Sequence, residues 1–353
     1  MKVIRFLLPG LGVVLLGGLV GALGVDEILH NLAVMRWAFL YVVLLALAWH
    51  VTNSLAWSCA FPADGFRPRL SLLFMCKLAG EAVNQLTPLA NLGGEPLKAF
   101  LLRRQSPVSR GLASVVVNKA AQVFTGLLFT AAGLGLVTYS WEVPLAVPMP
   151  VRGGLALLLL AAVLLTWVAY RSHRRMFTAL LGCTRRCGLG LERIERLRAR
   201  AADIDYHISR FFRQHKGRFG LVLLFHACGW LLGACETFVI LRALGAGIDF
   251  EIAFLIASLT VVINGLFFFM PSNIGVLEGG QVFLFLTLGL DPAAGLSLGI
   301  VKRMRKLMWI SVGWLFLTHL SRSMGRASVP GAAVAAAAAS PGAGRALRQG
   351  AIS

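Results

Sequence analysis

Four of the five residues from 302 to 306, Lys302, Arg303, Arg305 and Lys306, are cationic, and they interrupt the otherwise apolar run 293–320. A run of that length matches a membrane-spanning helix, which needs about 20 mostly apolar residues. At ~1.5 Å per residue, Lys302 lies roughly 15 Å from the start of the run, near the bilayer midplane. One charge there costs at least ~2.5–3.5 kcal/mol on insertion scales, so these four cannot all face lipid. Lys302, Arg305 and Lys306 share a helical face. That face must turn inward, toward carboxylates, water or an anionic ligand.

The rest of the chain supplies the apolar shell. Of its 353 residues, 58% are hydrophobic and 14% charged. Soluble domains carry about 25% charged residues. This composition excludes a soluble globular, disordered or fibrous chain and predicts an all-α polytopic membrane protein. Lys and Arg number 34 and Asp and Glu 15, a net charge of +19. In a membrane protein such an excess belongs to cytoplasmic loops facing anionic headgroups. No recognition motif accompanies it, so no nucleic-acid partner is expected. Six cysteines form no framework, and no His/Cys spacing fits a metal, so no metal site or cofactor is expected. GxSxG, P-loop and GxGxxG patterns are missing, and no enzymatic activity is expected.

Full spans are predicted at about 6–25, 37–61, 111–139, 153–170, 219–241 and 293–320. The first, after Lys2 and Arg5, reads as an uncleaved anchor. Segment 171–218 holds thirteen Lys or Arg and is assigned to the cytoplasm. Within it, 191–212 reads as an amphipathic helix on the membrane surface, with Leu191, Ile194, Leu197, Ile204, Ile208 and Phe211 on one side. Counting outward places both termini inside. Residues 1–326 then form one transmembrane domain, and the Ala/Gly-rich tail 327–353 reads as disordered.

Two stretches are not simple spans. Residues 70–102 contain NQLTPLANLGGEPLK, and 252–290 contain NGLFFFMPSNIGVLEGGQ. Each reads as a re-entrant helix–break–helix hairpin, with breaks at Pro88, Gly93 and Gly94 and at Pro271, Asn273 and Gly275. The second also fits two ordinary spans with a short turn. Pro88 and Pro271, Glu95 and Glu278, and Lys119 and Lys302 are each 183 residues apart. Repeat 1, about 70–139, and repeat 2, about 252–320, therefore form an inverted repeat, an arrangement common in transporters.

Glu95, Glu278 and Glu81 are too few to neutralise Lys119, Lys302, Arg303, Arg305 and Lys306. Surplus buried positive charge calls for an anion, and phosphate suits Arg, Lys and half-helix N-termini. Asn84 and Asn118 stand beside these groups and complete the candidate substrate-binding set. Glu95 and Glu278 would position the cations or take a cationic headgroup part. Alternatively, Glu95 and Glu278 pair with Lys119 and Lys302 and only pin helices. On the span 219–241, His226 and Glu236 form either a packing pair or a proton relay.

GEAVNQLTPLANLGGEPLKAFLLRR, SVVVNKAAQ, MPSNIGVLEGG and VKRMRKL resemble signature stretches of the lysylphosphatidylglycerol synthase transmembrane-region family, the flippase-like membrane proteins. The Pro, Gly, x, x, Glu turn and the basic run with paired Arg before Leu resemble the branch associated with hopanoid lipid pathways. The resemblance implies lipid handling in a bacterial inner membrane. In the family's multiple peptide resistance factor, this region is linked to translocating an aminoacylated phospholipid, and a separate soluble domain makes that lipid. The longest polar segment here, 171–218, is too short for such a domain. The resemblance also assigns functional weight to Glu95, Lys119, Glu278, Lys302 and Arg303. The expected function is a flippase that moves an anionic, phosphorylated lipid between leaflets. The rival readings are an intramembrane lipid-modifying transferase and a non-transporting partner in a lipid-biosynthesis complex. A homo-oligomer or a lipid-biosynthesis enzyme is the expected protein partner, beside membrane lipids themselves.

Overall fold

The computed structural model describes residues 33–62, 67–86, 93–139, 191–267 and 275–326, and their regular structure is helical. The expected spans 6–25 and 153–170, the tail 327–353, and Pro88, Pro271 and Asn273 lie outside the described residues. The described helices are α1 (Ala38–Cys59), α2 (Leu70–Leu86), α3 (Gly94–Leu101), α4 (Val108–Tyr139), α5 (Leu191–Gln214), α6 (Lys216–Ala243), α7 (Phe250–Leu266), α8 (Val276–Thr287) and α9 (Pro292–Arg326).

Helices α1 and α6, with the Val108–Gly135 part of α4, are long and apolar enough to cross a membrane. The 22 residues of α1 reach about 33 Å, the thickness of a hydrocarbon core. Helix α9 is longer, at 35 residues, and carries the four cations. Large apolar side chains point outward, among them Tyr41, Leu128, Leu224, Phe283 and Leu315, each more than half exposed. Lys77, Lys98, Glu236, Gln281 and Arg303 point inward and are buried. A polar interior within an apolar exterior is what lipid as the outer solvent selects.

The described part of α2 runs from Leu70 to Leu86. Gly275 precedes α8 with φ +75°, a left-handed conformation that a Cβ would strain.

Packing follows the same plan in both halves. Helix α1 lies along α6, the most extensive contact among the described helices. Helices α1–α4 pack in sequence, α1 on α2, α2 on α3 and α3 on α4; α6–α9 pack as α6 on α7, α7 on α8 and α8 on α9. The halves also cross: α2 packs on α9, and α7 on α4. Both crossings are close, with Gly313 of α9 against Leu78 of α2 and Gly133 of α4 against Ser258 of α7.

Two apolar clusters lie at the ends of these helices. One joins Trp57 and Phe61 of the α1 end, Leu73 at the start of α2, Leu101 at the end of α3, Val115 near the start of α4 and Leu320 near the end of α9. The other joins Val42, Ile240, Ala253 at the start of α7, Phe285 near the end of α8, and Leu298. Helices α2 and α3 thus begin and end at the first cluster, and α7 and α8 at the second.

Helix α5 forms over the stretch expected to be amphipathic, but the described part of its apolar face is covered by protein. Ile204, Ile208 and Phe211 are buried in the first cluster, where α5 packs on α4. Helical periodicity fixes which residues share a face, and here protein covers Ile204, Ile208 and Phe211 of that face.

Candidate functional site

A cavity of about 430 Å³ lies between the two apolar clusters and is lined from both halves. Its charged walls hold the cations Lys98, Lys119, Lys302, Arg305 and Lys306 and the carboxylates Glu81, Glu95 and Glu236. Five cations thus face three carboxylates. Trp49, Trp230 and Trp309 supply aromatic surface, and Asn84, Gln122 and Asn264 supply amides.

The first half builds its wall around the break between α2 and α3. Glu95, in the first turn of α3, accepts hydrogen bonds from Lys98 Nζ at 2.9 Å and Asn84 Nδ2 at 3.2 Å. Lys119 of α4 approaches the same Glu95 oxygen at 4.0 Å and donates to Gln122 at 3.3 Å. The Asn84 carbonyl oxygen accepts the Gly94 backbone N–H at 2.5 Å, which satisfies a donor in the open first turn of α3. A Cβ on Gly94 would overlap the Gly80 carbonyl, so this approach of α3 to α2 requires glycine. Beneath, Lys77 bonds Glu81 at 2.8 Å and His50 Nδ1 at 2.9 Å. The Lys77 ammonium also sits 4.5 Å from the Trp49 ring centre, within cation–π range.

The second half is arranged differently. Glu278, in the first turn of α8, holds Arg303 of α9 through both carboxylate oxygens; the Nη2–Oε2 bond is 2.6 Å. The same carboxylate accepts the Gly275 N–H at 3.1 Å. Arg303 is 2% exposed, and this bidentate pair stands outside the cavity lining. Lys302 donates to the Thr237 hydroxyl at 2.9 Å, and Arg305 bonds Glu236 at 2.5 Å. Behind them Gln281 of α8 donates to Thr260 of α7 at 2.7 Å.

Of the residues singled out by sequence, Glu81, Asn84, Glu95, Lys119, Lys302, Arg305 and Lys306 line the cavity. Asn118 lines a small adjoining pocket and bonds His226 Nε2 at 3.0 Å. Gly93 and Gly94 lead into α3, and Gly275 leads into α8.

Two pairings differ from expectation. Glu278 takes Arg303 rather than Lys302, because the planar guanidinium matches both carboxylate oxygens, which an ammonium cannot. His226 and Glu236 do not face each other; His226 turns to α4 and Glu236 to α9. They are ten residues apart on one helix, not the three or four that bring side chains together.

Sequence reading missed His50, Lys77 and Lys98 as members of the site. Lys77 and Lys98 carried a signal like that of Lys119, a cation within an apolar segment, here three or four residues from a glutamate.

The chain matches the model of the family described as "Lysylphosphatidylglycerol synthase TM region" over residues 6–313. It is 24% identical over 316 residues to a UPF0104 membrane protein of Methanothermobacter thermautotrophicus, covering 85% of this chain and 90% of the relative. It is 22% identical over 316 residues to UPF0104 membrane protein PH1989 of Pyrococcus horikoshii, covering 85% and 92%. A second Methanothermobacter thermautotrophicus UPF0104 membrane protein is 24% identical over 277 residues, covering 75% and 77%. No solved structure matches. With its long apolar helices and polar interior, the chain is a multi-pass integral membrane protein that belongs to the lysylphosphatidylglycerol synthase transmembrane-region family.

Proposed function

We propose that this protein is a lipid transporter that holds the phosphate of an anionic headgroup in the central cavity and passes the lipid between leaflets. The observation that carries the reading is the charge of the cavity: five cations against three carboxylates, enclosed by helices whose outer faces are apolar. Surplus positive charge at membrane depth is expensive without a counter-anion. In a shell of lipid-facing helices, a phosphate-bearing lipid is the natural supplier of one.

In this reading α2–α3 and α7–α8 are re-entrant hairpins of an inverted repeat. The support is the matched order of elements, the crossed packing, and the two apolar clusters from which the hairpins enter. Alternating access would come from rocking one half against the other. Helices α1 and α6 extend the repeat beyond the two stretches that share the 183-residue offset. In this reading the protein sits in a bacterial inner membrane with both termini facing the cytoplasm. The reading assigns no chemical step to the cavity carboxylates, because each already holds a cation: Glu81 holds Lys77, Glu95 holds Lys98, and Glu236 holds Arg305.

The test is a leaflet assay in liposomes with a fluorescent anionic phospholipid. Wild-type protein should speed exchange between leaflets, and the double variant Lys119→Ala/Lys302→Ala should slow it by about tenfold or more. Wild-type exchange equal to that of protein-free liposomes contradicts the reading.

A further inference from the structure

The charge balance says more than that the ligand is an anion. Resting on the transporter reading above, we infer that the cavity selects a phosphate monoester, a terminal phosphate of charge near −2, over a phosphodiester of charge −1. The five lining cations exceed the three lining carboxylates by two. Glu81 is already engaged by buried Lys77, which is not among the lining cations, so Glu81 offsets little of the cavity charge. With all five lining groups protonated, the surplus facing a ligand is at least two. A monoester near pH 7 carries about −1.5 to −2, because its second proton leaves near pH 6. A diester carries −1 and leaves at least one buried charge without a counter-ion.

The geometry suits three free phosphate oxygens. Lys302, Arg305 and Lys306 present donors from one face of α9, and Lys119 presents its ammonium from α4 in the other half. Lys119 is 4.0 Å from Glu95, outside hydrogen-bond range, and its side chain keeps 38% exposure toward the cavity. Glu236 Oε1 and Arg305 Nε are buried with no hydrogen-bond partner, so the Glu236–Arg305 pair is only half satisfied. A dianion beside it completes the donor side of Arg305 and favours the charged form of the neighbouring lysines.

The test uses the full chain in detergent at pH 7. Competition binding compares phosphatidic acid, a monoester, with phosphatidylmethanol of the same acyl chains, a diester, and with phosphatidylcholine. Inorganic phosphate is added in a separate arm. Phosphatidic acid should bind about tenfold or more tightly than phosphatidylmethanol. Lys306→Met, which keeps the unbranched stem and removes the charge, should bring the two lipids closer together. Equal binding of both anionic lipids above phosphatidylcholine overturns the monoester inference and leaves the anionic-lipid reading standing. Equal binding of all three lipids removes both. If inorganic phosphate competes as strongly as phosphatidic acid, the monoester chemistry stands and the ligand is free phosphate rather than lipid.

Discussion

Glu95 and Glu278 occupy corresponding places in the two halves, each in the first turn of a short helix after a break. Their partners differ in kind. Glu278 is gripped by both guanidinium bonds of one arginine, away from the cavity. Glu95 is shared by Lys98 at 2.9 Å and Lys119 at 4.0 Å, on the cavity wall. A bidentate arginine fixes a helix, while point charges on flexible stems can move to a new anion. One break is therefore built as an anchor between α8 and α9, and the other as a set of movable charges. A repeat with identical halves would give two equal sites; this one gives a fixed side and an adaptable side.

Breaking the anchor should have the largest effect. Arg303→Ala leaves the Glu278 carboxylate buried without its cation, and loss of one partner of a buried pair costs about 3–5 kcal/mol. Thermal unfolding in detergent should show a large fall in Tm. The double variant Glu278→Gln/Arg303→Met should recover most of it, since it removes both charges together. Recovery no better than in the single variant would show that the pair does more than anchor.

The backbone supports of the two breaks should come next. Gly94→Ala drives a methyl into the Gly80 carbonyl, and overpacking of this kind costs about 1–3 kcal/mol. Gly275→Ala has open space around it and carries only the left-handed backbone penalty, about 1–2 kcal/mol. The same thermal measurement ranks them, with Gly94→Ala the worse.

The smallest stability effect belongs to Glu95→Gln, about 1 kcal/mol, because the amide oxygen can still accept from buried Lys98 and the Lys119 side chain is 38% exposed. Its consequence should appear in lipid binding instead, where freeing two ammonium groups raises the affinity for an anion. A loss of stability matching that of Arg303→Ala would erase the distinction between the two breaks.

What the sequence made legible follows from rarity. Charges inside apolar runs are few, so Glu95, Lys119, Lys302, Arg305 and Lys306 stood out, and all five line one cavity. The spans of α1, α4 and α6 were legible from length and hydropathy. Partner choice was not. Which cation meets Glu278, and whether Glu236 turns to His226 or to Arg305, depends on how helices pack against partners 25 and 69 residues away. Helical periodicity places a side chain on a face and says nothing about the helix opposite. The same reason hid the partner of α5: Ile204, Ile208 and Phe211 showed an apolar face, and only the fold shows α4 against it.

The central claim is that the cavity holds a phosphorylated lipid on its movable cations. The most direct measurement is mass spectrometry of lipids retained after gentle purification of wild type, Lys119→Ala and Lys302→Ala. The account predicts one phosphate-bearing lipid class enriched over bulk membrane in wild type and lost in both variants, with all three proteins folded. Lipid of bulk composition in all three would contradict it, and would leave the cavity charges as internal ties between helices.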